Sequence, residues 1–208
     1  MFNNRFNRLD HKLICDLVDN NARVLDIGCG KGDLLKLLSE KKHVDGRGIE
    51  IDPFGVETCL TNGLSVMEGD ANNDLYDFPD NSFDFVILSQ TLQAISKPHI
   101  VIRQMLRLGK YAIISFPNLG HWKCRLYSLF TGKMPSSPYL NENWYETPNI
   151  RLCTLKDFIE LAKVSNFKIC KRIALLGSGK VLPFNNLSAS YSNLFASNAL
   201  LVIGRNSR

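Results

Sequence analysis

Val24-Leu25-Asp26-Ile27-Gly28-Cys29-Gly30-Lys31-Gly32-Asp33 is the stretch that decides how this chain reads. An apolar run enters a turn with glycine at 28, 30 and 32, and Leu34, Leu35, Leu37 and Leu38 follow at helical spacing. A strand that passes through glycines into a helix sets bare backbone and a helix N-terminus beside a ligand. A dinucleotide fingerprint needs G-x-G-x-x-G, and here the third glycine comes one residue early. Asp26 sits two residues before the first glycine. Its carboxylate would repel a pyrophosphate and suits a cationic ligand. Cys29 reads as a small residue between two glycines. The plain alternative is a glycine turn that needs only tight geometry.

Working outward, His43–Ile51 reads as a second strand, with Glu50 22 residues after Gly28. A carboxylate there takes ribose hydroxyls in nucleotide-binding α/β folds. Asp52 reads as the N-cap of a helix over Phe54–Leu60. A third strand, Leu64–Met67, leads into Glu68-Gly69-Asp70-Ala71, and a turn at Asp80-Asn81 into a buried fourth strand ending Ile87-Leu88-Ser89. Asn7–Val18 is an amphipathic lead-in helix, with Leu9, Leu13, Ile14, Leu17 and Val18 at helical spacing. Pro98 opens a helix to Leu108 that Gly109 stops, and Tyr111–Phe116 is a fifth, wholly apolar strand. Thr154 and Asp157 mark another helix start, and Phe167–Leu175 and Ala199–Gly204 read as closing strands. Alternating strands and helices at this spacing predict a doubly wound α/β sheet.

The glycine stretch resembles motif I of the class I S-adenosylmethionine (SAM)-dependent methyltransferases. SAM carries a sulfonium and an ammonium and no phosphate, which matches Asp26. The resemblance implies a Rossmann-like fold with a seven-stranded, mostly parallel sheet in the order 3-2-1-4-5-7-6, the last strand antiparallel. It also implies a cofactor-binding set of Asp26, Gly28, Cys29, Gly30, Gly32, Glu50, Ile51, Asp70, Ala71 and Ser89. In this set Asp70 accepts from the adenine amino group and the next backbone N–H meets the ring; a turn Asp after glycine is the alternative at that position.

At 208 residues, 45% apolar and 22% charged, the chain is expected to form one soluble domain over 1–208. No apolar run approaches the roughly 18–20 residues of a membrane span. Met1-Phe2-Asn3-Asn4-Arg5 lacks an apolar signal core, so a cytoplasmic location is expected. The six cysteines form no C-x-x-C pair and do not cluster with the four histidines, so neither disulfides nor zinc are expected. Residues 1–100 carry 10 basic and 16 acidic groups, and residues 101–208 carry 15 and 4. A basic half can face an acidic protein, an anionic small molecule or nucleic acid, or be a solvated face. The basic residues are scattered and no RNA-binding aromatic motif is present, which argues against nucleic acid.

Residues 117–153, between the fifth strand and the next helix, exceed an ordinary connection and read as a lid or partner-binding insertion. They hold Trp122, Lys123, Arg125, Tyr127, Phe130, Tyr139, Trp144 and Tyr145. Three runs carry a closer likeness: Ser89-Gln90-Thr91-Leu92-Gln93-Ala94, Ser115-Phe116-Pro117-Asn118-Leu119-Gly120-His121-Trp122, and Trp144 to Thr154. Together they resemble the methionine biosynthesis protein MetW family over about residues 7–175. Arg151 stands where that pattern has His, so no catalytic role is placed there. The resemblance implies a protein of methionine biosynthesis that binds SAM or S-adenosylhomocysteine and acts with homoserine O-acyltransferase. The alternative is a catalytically active SAM-dependent methyltransferase on a small molecule, with His121 or Tyr145 as base. A histidine merely satisfied within the lid is the other reading of His121. The Asp/Asn-Pro-Pro-aromatic signature of amino-methyltransferases is absent after strand four.

Overall fold

In β1 (Arg23–Ile27) successive side chains point to opposite faces, so Val24 enters one core and Leu25 and Ile27 the other. The same alternation runs through β4 (Phe83–Ser89) and β5 (Gly109–Pro117), with Phe85, Ile87 and Ile113 on one face and Val86, Leu88, Ala112 and Ile114 on the other. Strands buried on both faces need helices on both, and the chain supplies them. The computed structural model describes residues 2–135, 150–183 and 188–206, side chains at 2–8 and 182–183 excepted.

One layer is α1 (Phe2–Leu17) and α2 (Asp33–Lys42), whose Ile14, Leu34 and Leu38 cover the Val24 face. On the other face, α4 (Pro98–Leu108) buries Val101, Ile102 and Met105, and α6 (Leu155–Val164) buries Phe158, which stacks on Phe116 at 5.2 Å. Between these elements lie β2 (Asp45–Glu50), α3 (Pro53–Thr61), β3 (Ser65–Glu68) and α5 (Trp122–Thr131). β6 (Phe167–Leu176), β7 (Val181–Pro183), α7 (Ala189–Phe195) and β8 (Ala196–Arg205) follow.

The sheet order is β3-β2-β1-β4-β5-β8-β6-β7. β8 runs antiparallel between β5 and β6, so the expected seven-strand order is present, with β8 as the seventh strand of that scheme. β7 is an added edge strand, turned back on β6 through Gly179. Thus part of the stretch 176–198, which matches no motif, is a hairpin followed by α7.

The other departures are local. His43 belongs to no strand: it takes φ 54° and its N–H caps α2 through Ser39 O, so β2 starts at Asp45. Leu64 bonds back to Cys59 O after a left-handed Gly63, which delays β3 to Ser65. α1 begins five residues before Asn7, and β8 three residues before Ala199 because it is paired on both sides. The insertion 117–153 opens with a helix, α5. Its residues 136–149, Tyr145 among them, lie outside the described set. Among the described residues no helix is long and apolar enough to cross a membrane, and all six cysteines are free thiols.

Asn118, from the motif after β5, holds the far side of the fold together. Its Nδ2 donates to the carbonyls of Asn193 and Ala196, both at 2.8 Å, and its Oδ1 accepts from the N–H of Gly120 and Leu155, both at 3.0 Å. These fasten the starts of α6 and β8 to the end of β5. Asn118→Ala strands four buried backbone groups and should cost about 2–4 kcal/mol in urea unfolding. A loss below about 0.5 kcal/mol, the scale of a surface change, would contradict this role.

Candidate functional site

The glycine loop is built by what its backbone must reach. Gly28 N donates to Ile49 O at 2.8 Å, which closes the loop on β2. Gly28 takes φ +69°, and a Cβ there would lie 2.5 Å from Thr91 Cγ2. Thr91 is fixed in turn by its hydroxyl donating to Ser89 O at 2.8 Å. Gly30, at φ +56°, has open space where its Cβ would be. That is the geometry of a backbone kept bare for something that approaches it. Gly32 caps the N-terminus of α2, also with positive φ.

Glu50 binds this loop from β2. Its Oε2 accepts from Gly30 N at 2.7 Å, and its Oε1 accepts from Ile51 N at 2.9 Å and Asp52 N at 3.0 Å. Ile51, just after β2, is 66% exposed. Asp52 caps α3 as the sequence predicts, accepting from Phe54 N and Gly55 N. Asp26 is 2% exposed at the end of β1, and its Oδ1 has no hydrogen-bond partner among the described residues. Burial, with Glu50 nearby as the smaller cause, pushes its pKa up to about 8. Burial also raises the Cys29 thiol, so Cys29 is an inert small residue in the loop. A cavity of about 210 Å³ brings Asp26, Gly28, Cys29 and Gly30 together with His11, Ser89 and Gln90.

Asp70 and Ala71 lie at the β3 end. Asp70 Oδ1 accepts from both the N–H and the side-chain amide of Asn72 at 2.8 Å, and Oδ2 accepts from Asn73 Nδ2 at 3.0 Å. The turn role is therefore present in the geometry. Ala71 packs half-buried against the main core. His121 is the N-cap of α5: its Nδ1 accepts from Lys123 N at 3.3 Å, and burial, then Lys123, holds its pKa down. A neutral imidazole whose Nδ1 is occupied by a cap matches the satisfied-histidine reading. Among the described residues no cluster of His, Cys, Asp or Glu could hold a metal ion.

Two residues escaped the sequence reading. Asp10, on α1, is fully buried against Ser89, Gln90 and Ser115. Gln90 is held at φ 54° at the exit of β4. The available signal for Asp10 was an acid on an apolar stripe, four residues before Ile14. Another cavity, of about 380 Å³, lies at the amino edge of the sheet beside His99, Arg103, Arg107 and Arg205. Two of those arginines are already committed: Arg107 bonds Phe78 O, Leu75 O and Asp80, and Arg205 bonds Leu106 O and Asn81.

Comparison with known proteins agrees with this geometry. The sequence model of the family described as "Methionine biosynthesis protein MetW" matches residues 8–203. The bifunctional methionine biosynthesis protein MetXA/MetW of Rhodopirellula baltica is 32% identical over 174 residues. That match takes in 79% of this chain and 28% of the Rhodopirellula protein, so this chain spans little more than a quarter of that relative. The demethylmenaquinone methyltransferase of Listeria welshimeri is 25% identical over 187 residues, 80% of this chain and 79% of that one. Among solved structures, a SAM-dependent methyltransferase of Thermotoga maritima superposes with a TM-score of 0.69 at 18% identity, over 97% of this chain and 90% of that one.

The Asp26 carboxyl makes stability depend on pH in a definite sense. Folded, it keeps its proton to about pH 8; unfolded, it ionises near its ordinary value. The unfolded state therefore gains as pH rises from about 4 to about 8, and folding stability falls over that window and levels off above it. Asp26→Asn removes the titration. Its thermal stability relative to wild type should grow across that window and then plateau; a constant difference would rule out the raised pKa.

Proposed function

This chain belongs to the MetW family, and from that premise we propose that it binds SAM in the cleft of the glycine loop and acts with homoserine O-acyltransferase. The observation that carries the cofactor assignment is the unpartnered, buried Asp26 oxygen beside an open Gly30. A buried acceptor facing a cleft suits the ligand's ammonium and opposes a phosphate. Glu50 has capacity beyond its three backbone donors for ribose hydroxyls. Ile51 would flank the adenine, Asp70 and the Ala71 N–H would meet its edge, and Gly28, Cys29, Gly30 and Gly32 would pass beneath as bare backbone. Ser89 would stand at the methionine end. When bound, SAM supplies an electrophilic methyl group.

The partner reading is supported by two things. The Rhodopirellula relative joins MetXA and MetW in one polypeptide by its name. And α5, the opening of the insertion, buries none of its side chains: Leu129 is 74% and Phe130 80% exposed, with Met134 beyond them at 61%. Large apolar groups left in water at one site fit a protein surface. The other reading, a methyltransferase acting on a small molecule, has less support, because His121 is spent on a cap and no acid–base pair follows β4. We place the protein in the cytoplasm, with the enzymes of amino-acid biosynthesis.

Calorimetry tests the cofactor. SAM should bind to wild type and not to Asp26→Ala or Gly30→Val; unchanged affinity in either would end the assignment. Because Asp26 is protonated near neutrality, binding at pH 7 should release about one proton, seen as a buffer-dependent enthalpy. A pull-down tests the partner. Homoserine O-acyltransferase should be retained by wild type and lost with Leu129→Asp combined with Phe130→Asp, exposed positions where the fold is not at stake. Equal retention would overturn the α5 surface. No retention by wild type, with SAM turnover on a small metabolite, would favour the enzyme.

A further inference from the structure

Asp10 is the second fully buried carboxyl at the cleft, and none of the roles above uses it. α1 lays it on the carboxyl ends of β4 and β5. There Oδ2 accepts from Ser115 Oγ at 2.6 Å, Ser89 Oγ at 3.1 Å and Gln90 Nε2 at 3.1 Å. Its Oδ1 is buried with no partner among the described residues. Ser89 and Gln90 are also walls of the Asp26 cavity, and His11, the next residue on α1, is another. The Asp10 carboxyl therefore stands directly behind the wall at the methionine end.

The arrangement is over-determined, which docking a helix does not need. Gln90 is kept left-handed by its N–H on Ser115 O at 3.0 Å while its side chain reaches Asp10. Non-glycine residues stay in that region only where several contacts force them to, and such places concentrate at binding sites. An apolar residue at position 10 would continue the stripe of Ile14 at no desolvation cost. Among the described residues the ion pairs are Arg23 with Asp84 and Arg107 with Asp80, so neither Asp10 nor Asp26 has a lysine or arginine partner. Two buried carboxyls, each with an oxygen that finds no partner among the described residues, therefore sit at the cleft. Burial raises the pKa of both, so a cation brought close is what favours their charged forms.

The ligand assigned above carries two cations, the ammonium and the sulfonium. Its demethylated product, S-adenosylhomocysteine, carries only the ammonium. We propose that Asp10, acting through the Ser89–Gln90 wall, makes this pocket select the sulfonium form of its ligand over the neutral thioether, with Asp26 holding the ammonium that both forms share. Asp10 is a specificity-determining residue here; it need not touch the methyl group. Occupancy then follows the ratio of SAM to its product, as a sensor of methyl-donor supply requires. This rests on the SAM reading of the cleft.

The test is calorimetric titration of the full chain with three probes: SAM, S-adenosylhomocysteine, and sinefungin, which carries a protonated amine in place of the sulfonium. Wild type should bind SAM and sinefungin about tenfold or more tighter than the thioether, the scale of one charge interaction across a partly screened wall. Asp10→Asn keeps the shape and most hydrogen bonds. It should bring the three affinities to within about threefold, through loss on SAM and sinefungin with the thioether unchanged. Equal affinity of wild type for SAM and the thioether would overturn the proposal, and that comparison needs no variant to fold. Equal weakening of all three ligands by Asp10→Asn would reduce Asp10 to a latch for α1 and overturn it too. If wild type binds none of the three, the SAM reading itself fails and takes this inference with it, a result distinct from unselective binding.

Discussion

The Glu50 carboxylate is the fastening on which the site depends. It collects the N–H groups of Gly30, Ile51 and Asp52, and so joins the end of β2 to the glycine loop and to the start of α3. A charge-assisted bond from a carboxylate to backbone N–H is among the stronger ones available. It also shapes the loop's electrostatics, because its negative charge adds to the burial that keeps Asp26 protonated. Without it, Gly30 would have no anchor across the strand edge, and α2 would start from an unfixed turn.

Around that fastening the molecule divides its work between the two ends of the sheet. At the carboxyl edge, Asp26 and Asp10 are buried, each with one oxygen unpartnered among the described residues. At the amino edge, arginines of the basic second half are spent on carbonyls and so close the α4–β8 corner. The excess of basic groups after residue 100 is thus partly structural. On a third side, α5 offers apolar side chains to water, the one described helix with none of its own residues buried that still carries Trp122, Leu126, Leu129 and Phe130. The proposed ligand cleft, the arginine-closed corner and the proposed partner surface therefore occupy separate regions.

How much was legible in the sequence depended on how local each signal was. The glycine loop, the Asp52 cap and the Thr154–Asp157 capping box each sit within a few residues, and each forms as read. The β-strands announced themselves by apolar runs, with errors confined to ends such as His43, where a left-handed cap overrides a strand-like neighbourhood. The short β7 was hidden because an edge strand of three residues has no periodicity to show. His121 stood as a base candidate only under the enzyme reading, beside a satisfied lid histidine; its cap on Lys123 N is visible only once α5 is known to start there. Asp70 carried two readings; its bonds to Asn72 and Asn73 form the turn, and they leave the adenine role open to it.

The sequence by itself determined the doubly wound fold and the glycine loop at the end of β1, with an acid beside it. Those follow from periods of two and 3.6 residues and from an acid next to a glycine turn, all short-range facts. Only the tertiary structure decided that Asp10 belongs to that cleft, since its partners lie 79 to 105 residues away in the chain. It alone also showed Asp26 and Asp10 buried with no lysine or arginine partner among the described residues, because desolvation is a property of everything packed around a group and no segment carries it alone.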